Sequence, residues 1–78
     1  MEMSEAFAAV LRHHRKAKRL SQEALAEKAD LHPTYIGLLE RSLRNPSLNV
    51  AQALADALGV SLSEVIREAE VIRRSSKR

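Results

Sequence analysis

Apolar residues recur along this chain at helical spacing, and nowhere do they alternate with period two. Four breaks divide it into five short segments. In the first, from about Ser4 to Lys18, Phe7, Val10, Leu11 and His14 fall at i, i+3, i+4, i+7 on one helix face. Ser4 is its N-cap candidate, with Glu5 suiting the positive end of the dipole. The second segment begins at Ser21, with Leu20 and Leu25 as a hydrophobic staple, and turns Ala24, Leu25 and Ala29 to the core. Only Asp30, Leu31 and His32 separate it from the third, where Pro33 suits the first helical position and Ile36, Leu39 and Leu43 continue the apolar face. So tight a turn forces a large crossing angle, the geometry of a helix-turn-helix. Asn45-Pro46-Ser47 breaks the chain before a fourth helix with the face Leu48, Ala51, Leu54, Ala55 and Leu58, closed by Gly59. Ser61 and Glu64 read as a capping box for a fifth, whose face is Leu62, Val65, Ile66, Ala69 and Ile72, with Val71 off it.

The predicted class is therefore all-α: a compact five-helix bundle. At 78 residues it is one domain. Residues 1–72 are expected to form that domain, and 73–78 (RRSSKR) a flexible basic tail. A domain this short has a marginal core and often relies on a partner subunit. There is no cysteine, which excludes disulfides and thiolate metal sites and fits a reducing compartment such as the cytoplasm. The longest apolar run, Ala6 to Leu11, is far too short to cross a membrane, and no signal-peptide pattern opens the chain. An enzyme is not expected, since so small a domain hardly encloses a substrate pocket.

The formal charge is only +3, but it is unevenly spread. Residues 12–19, RHHRKAKR, hold five cations and no acid, whereas residues 45–72 hold Arg67 against Asp56, Glu64, Glu68 and Glu70. On a helix Arg12, Arg15, Lys16 and Arg19 share an arc of about 100°, so the cations form a stripe. That suggests an anionic partner for the first half, although a solvated helix face has the same composition. His13, His14 and His32 do not make a metal frame: neighbouring histidines diverge on a helix, and no H-x-x-x-H spacing exists. No nucleophile triad, paired carboxylates or glycine-rich phosphate loop stands out. No cofactor, metal or small-molecule ligand is expected.

The stretch from Leu20 to Ile66 resembles the Cro/phage-repressor-type helix-turn-helix family, also called the xenobiotic-response-element family. The resemblance is carried by Leu20-Ser21-Gln22-Glu23, Leu25-Ala26, Tyr35-Ile36, Leu39-Glu40-Arg41, Arg44-Asn45-Pro46, and Leu54-Ala55 followed by Leu58-Gly59-Val60. Each is weak alone; their order and spacing together are specific. Within the family, Thr34-Tyr35-Ile36, Glu40-Arg41 and Arg44-Asn45 are most similar to the controller proteins of restriction–modification systems, which are similarly short, all-helical and dimeric. The resemblance implies that the third helix enters the DNA major groove. The chain departs from the family at Arg19, where glycine is common, and at His14, where a large aliphatic residue is usual.

Candidate DNA contacts follow, each with a structural alternative. Gln22 opens the second helix, where an amide reaches a phosphate or stays solvated. Thr34 offers a hydroxyl and a methyl to base edges, Pro33 apolar contact alone, and His32 is a cap or polar loop residue beside them. Tyr35 either approaches DNA or packs on the domain. Gly37 would let DNA come close, and Leu38, one turn beyond Thr34, could meet a thymine methyl. Arg44, Asn45 and Ser47 make a plausible phosphate clamp, although turn chemistry also explains the last two. Arg41 could serve either purpose, and Arg12, Lys16, Lys18 and Arg19 are possible phosphate neutralisers. The resemblance implies that Arg15 and Glu40 form a partly buried structural ion pair.

Together these readings predict a dimeric transcriptional regulator on a palindromic operator in double-stranded DNA, a restriction–modification controller being one form. Leu62, Val65, Ile66, Ala69 and Ile72 are expected to be divided between core and dimer interface. The rival readings are a protein-interaction module, such as an antitoxin-type helix-turn-helix protein with DNA binding secondary, and an RNA-binding or coactivator role.

Overall fold

The computed structural model describes residues 1–75. These form five helices: α1 (Met3–Ala17), α2 (Gln22–Ala29), α3 (Pro33–Glu40), α4 (Leu48–Leu58) and α5 (Leu62–Ser75). There is no strand among the described residues. The expected tail starts too early at Arg73, because α5 continues through Arg73 and Arg74 to Ser75; the rest of the predicted tail, 76–78, lies outside the described residues.

Side-chain caps start the inner helices where the sequence places them. Ser21 Oγ accepts from the Ala24 N–H at 3.0 Å, Ser47 Oγ from Val50 at 3.1 Å and Ser61 Oγ from Glu64 at 3.1 Å. Two starts differ from expectation. Helix α1 begins at Met3 with Glu2 as N-cap, so Ser4 lies inside the first turn; the Glu5 carboxylate accepts from the Glu2 N–H at 2.9 Å. At α5 the Glu64 carboxylate is engaged by Arg67 at 2.6 Å, so Glu64 serves a side-chain pair instead of a capping box.

Four helix ends close in one way. A left-handed residue follows each of α1 to α4, and the next amide reaches back to the helix, with Leu20 bonded to Arg15 O, Leu31 to Ala26 O, Leu43 to Leu38 O and Val60 to Ala55 O. This is the Schellman closure. Only one of the four left-handed residues is glycine, Gly59 at φ 73°; Arg19, Asp30 and Ser42 adopt φ of 59°, 59° and 61°. Leu20, Leu31 and Val60 then fold onto the core, which fixes the angle at which each following helix leaves.

The core is one cluster to which all five helices contribute. Phe7, Val10 and Leu11 of α1 meet Leu25 of α2, Ile36 and Leu39 of α3, Leu54 and Leu58 of α4 and Val65 of α5. The buried small residues of α2 are Ala26 and Ala29, so Ala26 takes the core place expected of Ala24. Helix α1 packs along α5 and against α3, while α2 rests on α3 and α4. Two expected core residues are exposed. Leu43 is 61% accessible because the chain has already turned left-handed at Ser42, and Leu48 is 80% accessible at the first turn of α4. Val71 is exposed, as its position off the apolar face predicts.

Candidate nucleic-acid interface

The short turn between α2 and α3 brings their N-termini to opposite walls of one crevice. Its volume is about 520 Å³, and it is lined by Arg15, Ser21, Gln22, Glu23, Pro33 and Thr34. Both helix starts direct a partial positive charge outward there, but only α2 offers free amide hydrogens, since Pro33 has none and the Thr34 N–H is capped. Thr34 and His32 are exposed, while Pro33 and Gln22 are half-buried. His32 caps α3 through its ring, with Nδ1 accepting from the Thr34 N–H at 3.1 Å.

Behind the crevice lies a four-residue network. Arg15 Nε donates to Glu40 Oε2 at 2.6 Å and Arg15 Nη2 to Glu40 Oε1 at 3.0 Å, a bidentate pair. Arg15 Nη1 donates to the Leu20 carbonyl at 2.8 Å, and Gln22 Nε2 to Glu40 Oε1 at 3.1 Å. The side chains of Arg15 and Glu40 are 11% and 4% accessible, so water screens them little. One carboxylate thus ties together the end of α1, the α1–α2 turn, the start of α2 and the end of α3. The tie orients Gln22, whose amide reaches across α3 above Gly37. At its place in the sequence Gln22 reads as a solvated or phosphate-contacting group; only the fold sets it 3.1 Å from Glu40.

The basic stripe divides on folding. Arg15 turns inward to Glu40, and Arg19 leaves the helix in its left-handed turn. Arg12 and Lys16 remain together and line a groove of about 400 Å³ with Ser42, Glu5 and Glu40, on the other side of the ion pair from the crevice. Lys18 extends toward Gly59, near enough that a Cβ there would stand 3.5 Å from its Nζ. Arg41 is exposed and donates from Nε to the Gly37 carbonyl at 3.2 Å, so it also closes the end of α3. Tyr35 is half-buried against the core, and Leu38 is half-buried. Arg44, Asn45 and Ser47 are exposed. Asn45 and Ser47 open onto a separate groove that also holds Met3, Leu48 and Ile66. The fold therefore gathers Gln22, Pro33 and Thr34, and leaves the α3–α4 loop and the α1 cations as flanking groups.

The α5 residues also divide. Val65 and Ala69, expected to be shared with a partner, are 4% and 0% accessible and belong to this chain's own core. Leu62, Ile66 and Ile72 are only half-buried. His14, on the apolar face of α1, is not a plain packed ring: its Nε2 lies 2.8 Å from Glu68 Oε1 on α5. The apolar position of a polar residue was the available signal, but its partner is 54 residues away. Among the described residues no three His, Asp or Glu side chains gather as a metal ion requires, and no helix is long and apolar enough to cross a membrane.

Two short capped helices joined by a three-residue turn and tied by a buried arginine–glutamate pair form a helix-turn-helix, the architecture of a class of transcriptional regulators. The chain belongs to the helix-turn-helix family HTH_3, which matches residues 11–65. It is 42% identical over 66 residues to the control protein C.SmaI of Serratia marcescens, covering 85% of this chain and 79% of that one. It is also 42% identical over 59 residues to the immunity repressor protein of Bacillus phage phi105, but those residues are 76% of this chain and 41% of the repressor. Among solved structures, the restriction–modification controller protein C.AhdI of Aeromonas hydrophila superposes with a TM-score of 0.77 at 42% identity, covering 80% of this chain and 94% of that one. The clp gene regulator ClgR of Corynebacterium glutamicum superposes with a TM-score of 0.88 at 29% identity, covering 96% of this chain and 83% of that one.

Proposed function

We propose that this protein binds a palindromic operator as a homodimer and regulates transcription in the manner of a restriction–modification controller. The observation that carries this reading is the crevice shared by the starts of α2 and α3. It presents two helix N-termini, the Gln22 amide and the Thr34 hydroxyl on one surface; Glu40 behind it is paired with Arg15, and Glu23 on its rim is exposed to solvent. Gln22 holds a phosphate with the free amides of α2. Thr34 meets a base edge in the major groove, with Pro33 and Leu38 supplying apolar contact to thymine methyls and Tyr35 flanking them. Arg44, Asn45 and Ser47 clamp a phosphate of the neighbouring stretch, with Arg12, Lys16, Arg19 and Arg41 adding charge. Two-fold symmetry through α5 would set the two α3 helices about 34 Å apart, one turn of DNA.

The test is a salt titration of binding to the DNA just upstream of the protein's own gene. With about three phosphates neutralised per subunit, log K should fall against log salt with a slope of roughly −5. Arg44→Ala should flatten that slope by about 2 per dimer on any sequence. Thr34→Ala should leave the slope alone and relax preference at one base pair per half-site, by about 1–3 kcal/mol. Binding without salt dependence would refute the reading and favour a protein-interaction module. Equal weakening of specific and random DNA by Thr34→Ala would show that α3 does not read sequence.

A further inference from the structure

We propose that His32, the cap of α3, is also a base-reading residue: its Nε2–H donates to a purine N7 in the major groove. The inference rests on the DNA-binding reading above and adds a donor to the apolar Pro33 and the Thr34 hydroxyl.

The cap itself fixes the chemistry of the ring. A backbone N–H can only donate, so the Nδ1 that lies 3.1 Å from the Thr34 nitrogen carries a lone pair. A neutral imidazole has one N–H, which must then be on Nε2. Pro33 has no amide hydrogen, so Thr34 presents the first N–H of α3 and nothing at position 33 competes for the ring. Amides at a helix start point out along the axis, away from the helix body. A ring that receives one lies ahead of the helix, and the nitrogen on its far side faces further outward. His32 is exposed, so this donor is open to a ligand.

The start of the recognition helix is the part that faces base edges in this motif. A neutral group that can only donate there complements an acceptor. Both purines present N7 in the major groove, guanine with O6 beside it, whereas cytosine presents an amine donor. A single N–H adds little to a phosphate, whose contacts in this reading fall to Gln22, the α2 amides and the flanking cations.

The experiment begins with duplexes selected from a random-sequence library by the wild-type protein. Each purine of the selected site is then replaced singly by its 7-deaza analogue, which substitutes C–H for N7. Wild type should lose about five-fold in affinity at one purine per subunit, the worth of one hydrogen bond. His32→Ser keeps a good N-cap but not the ring, and His32→Asp serves as a second capped variant. Both should melt with the wild type, and His32→Ser should bind the unmodified site about five-fold more weakly while losing nothing further at that purine. Equal losses by wild type and His32→Ser at every purine would overturn the proposal. Equal weakening of His32→Ser on selected and scrambled duplexes would reassign the donor to a phosphate and overturn it too. If the wild type enriches no duplex, the DNA-binding reading fails first and this inference falls with it.

Discussion

Gln22 lies across Gly37. A Cβ built on Gly37 would stand 3.4 Å from Gln22 Oε1, in contact without overlap. The glycine thus faces another side chain of the same molecule, and its small size is not required for the amide to fit. Since glycine inside a helix costs about 1 kcal/mol relative to alanine, Gly37→Ala should stabilise the fold by roughly 0.5–1 kcal/mol. In a domain this size that is a rise of about 4–8 °C in Tm per kcal/mol, measurable by thermal melting. A lower Tm would mean that Gln22 is displaced from Glu40. An unchanged fold with weakened DNA binding would mean that DNA comes close to position 37.

Arg15 and Glu40 should show the largest single-residue losses outside the apolar core. Removing either strands a charge that is almost fully buried, at a cost of about 3–5 kcal/mol. That is comparable with the whole stability of a small domain. Replacing both by apolar residues, Arg15→Met with Glu40→Leu, should recover part of the loss, as denaturant titration of the two single variants and the double variant will show. An Arg15→Ala protein that melts like the wild type would contradict the geometry.

Arg19 sets stability against binding. Its φ of 59° is strained for any residue but glycine, at about 1 kcal/mol. Arg19→Gly should therefore raise Tm. If Arg19 neutralises a phosphate, the same variant should flatten the salt slope by about 1 per subunit. A higher Tm with an unchanged slope would confine Arg19 to the turn.

The half-buried face of α5 is the expected dimer surface. Ile66→Lys and Ile72→Lys should halve the mass seen by sedimentation while leaving the helical circular dichroism intact, because neither side chain is in the closed core. An unchanged mass in both would move the interface off α5.

Glu64 gives a pH signature. Its hydrogen bond from Arg67 chiefly holds its carboxyl below the ordinary value of 4.5; partial burial acts in the opposite direction and the Arg67 charge in the same one. A lowered folded-state value means that the contribution is fully present above the unfolded value and lost as pH falls through the folded one. The difference in Tm between wild type and Glu64→Gln should therefore be constant near neutrality and close in acid below about pH 4.5, and it should be small because the pair is exposed. A difference that widens in acid would contradict the pairing.

The sequence alone determined the five helices and most of their boundaries. Those depend on neighbours within a few positions: Ser21, Ser47 and Ser61 cap amides three residues ahead, and Gly59 takes the left-handed turn beside it. The same local signals misplaced the start of α1 and the end of α5. Glu2 caps in place of Ser4, and nothing local stops a helix at Arg73. Periodicity also identified Leu25, Ile36, Leu39, Leu54 and Leu58 as core, since one face of a helix must be covered. It could not say that Leu43 and Leu48 are bare or that Val65 and Ala69 are already enclosed, because covering a face depends on which helix lies opposite. Only the tertiary structure decided which cations are spent within the molecule. Arg12, Arg15, Lys16 and Arg19 look alike on a helical projection, yet a buried carboxylate 25 residues away takes Arg15 and a left-handed turn removes Arg19. The same holds for His14 with Glu68 and Gln22 with Glu40: a polar side chain at low exposure needs a partner, and distance in space chooses it.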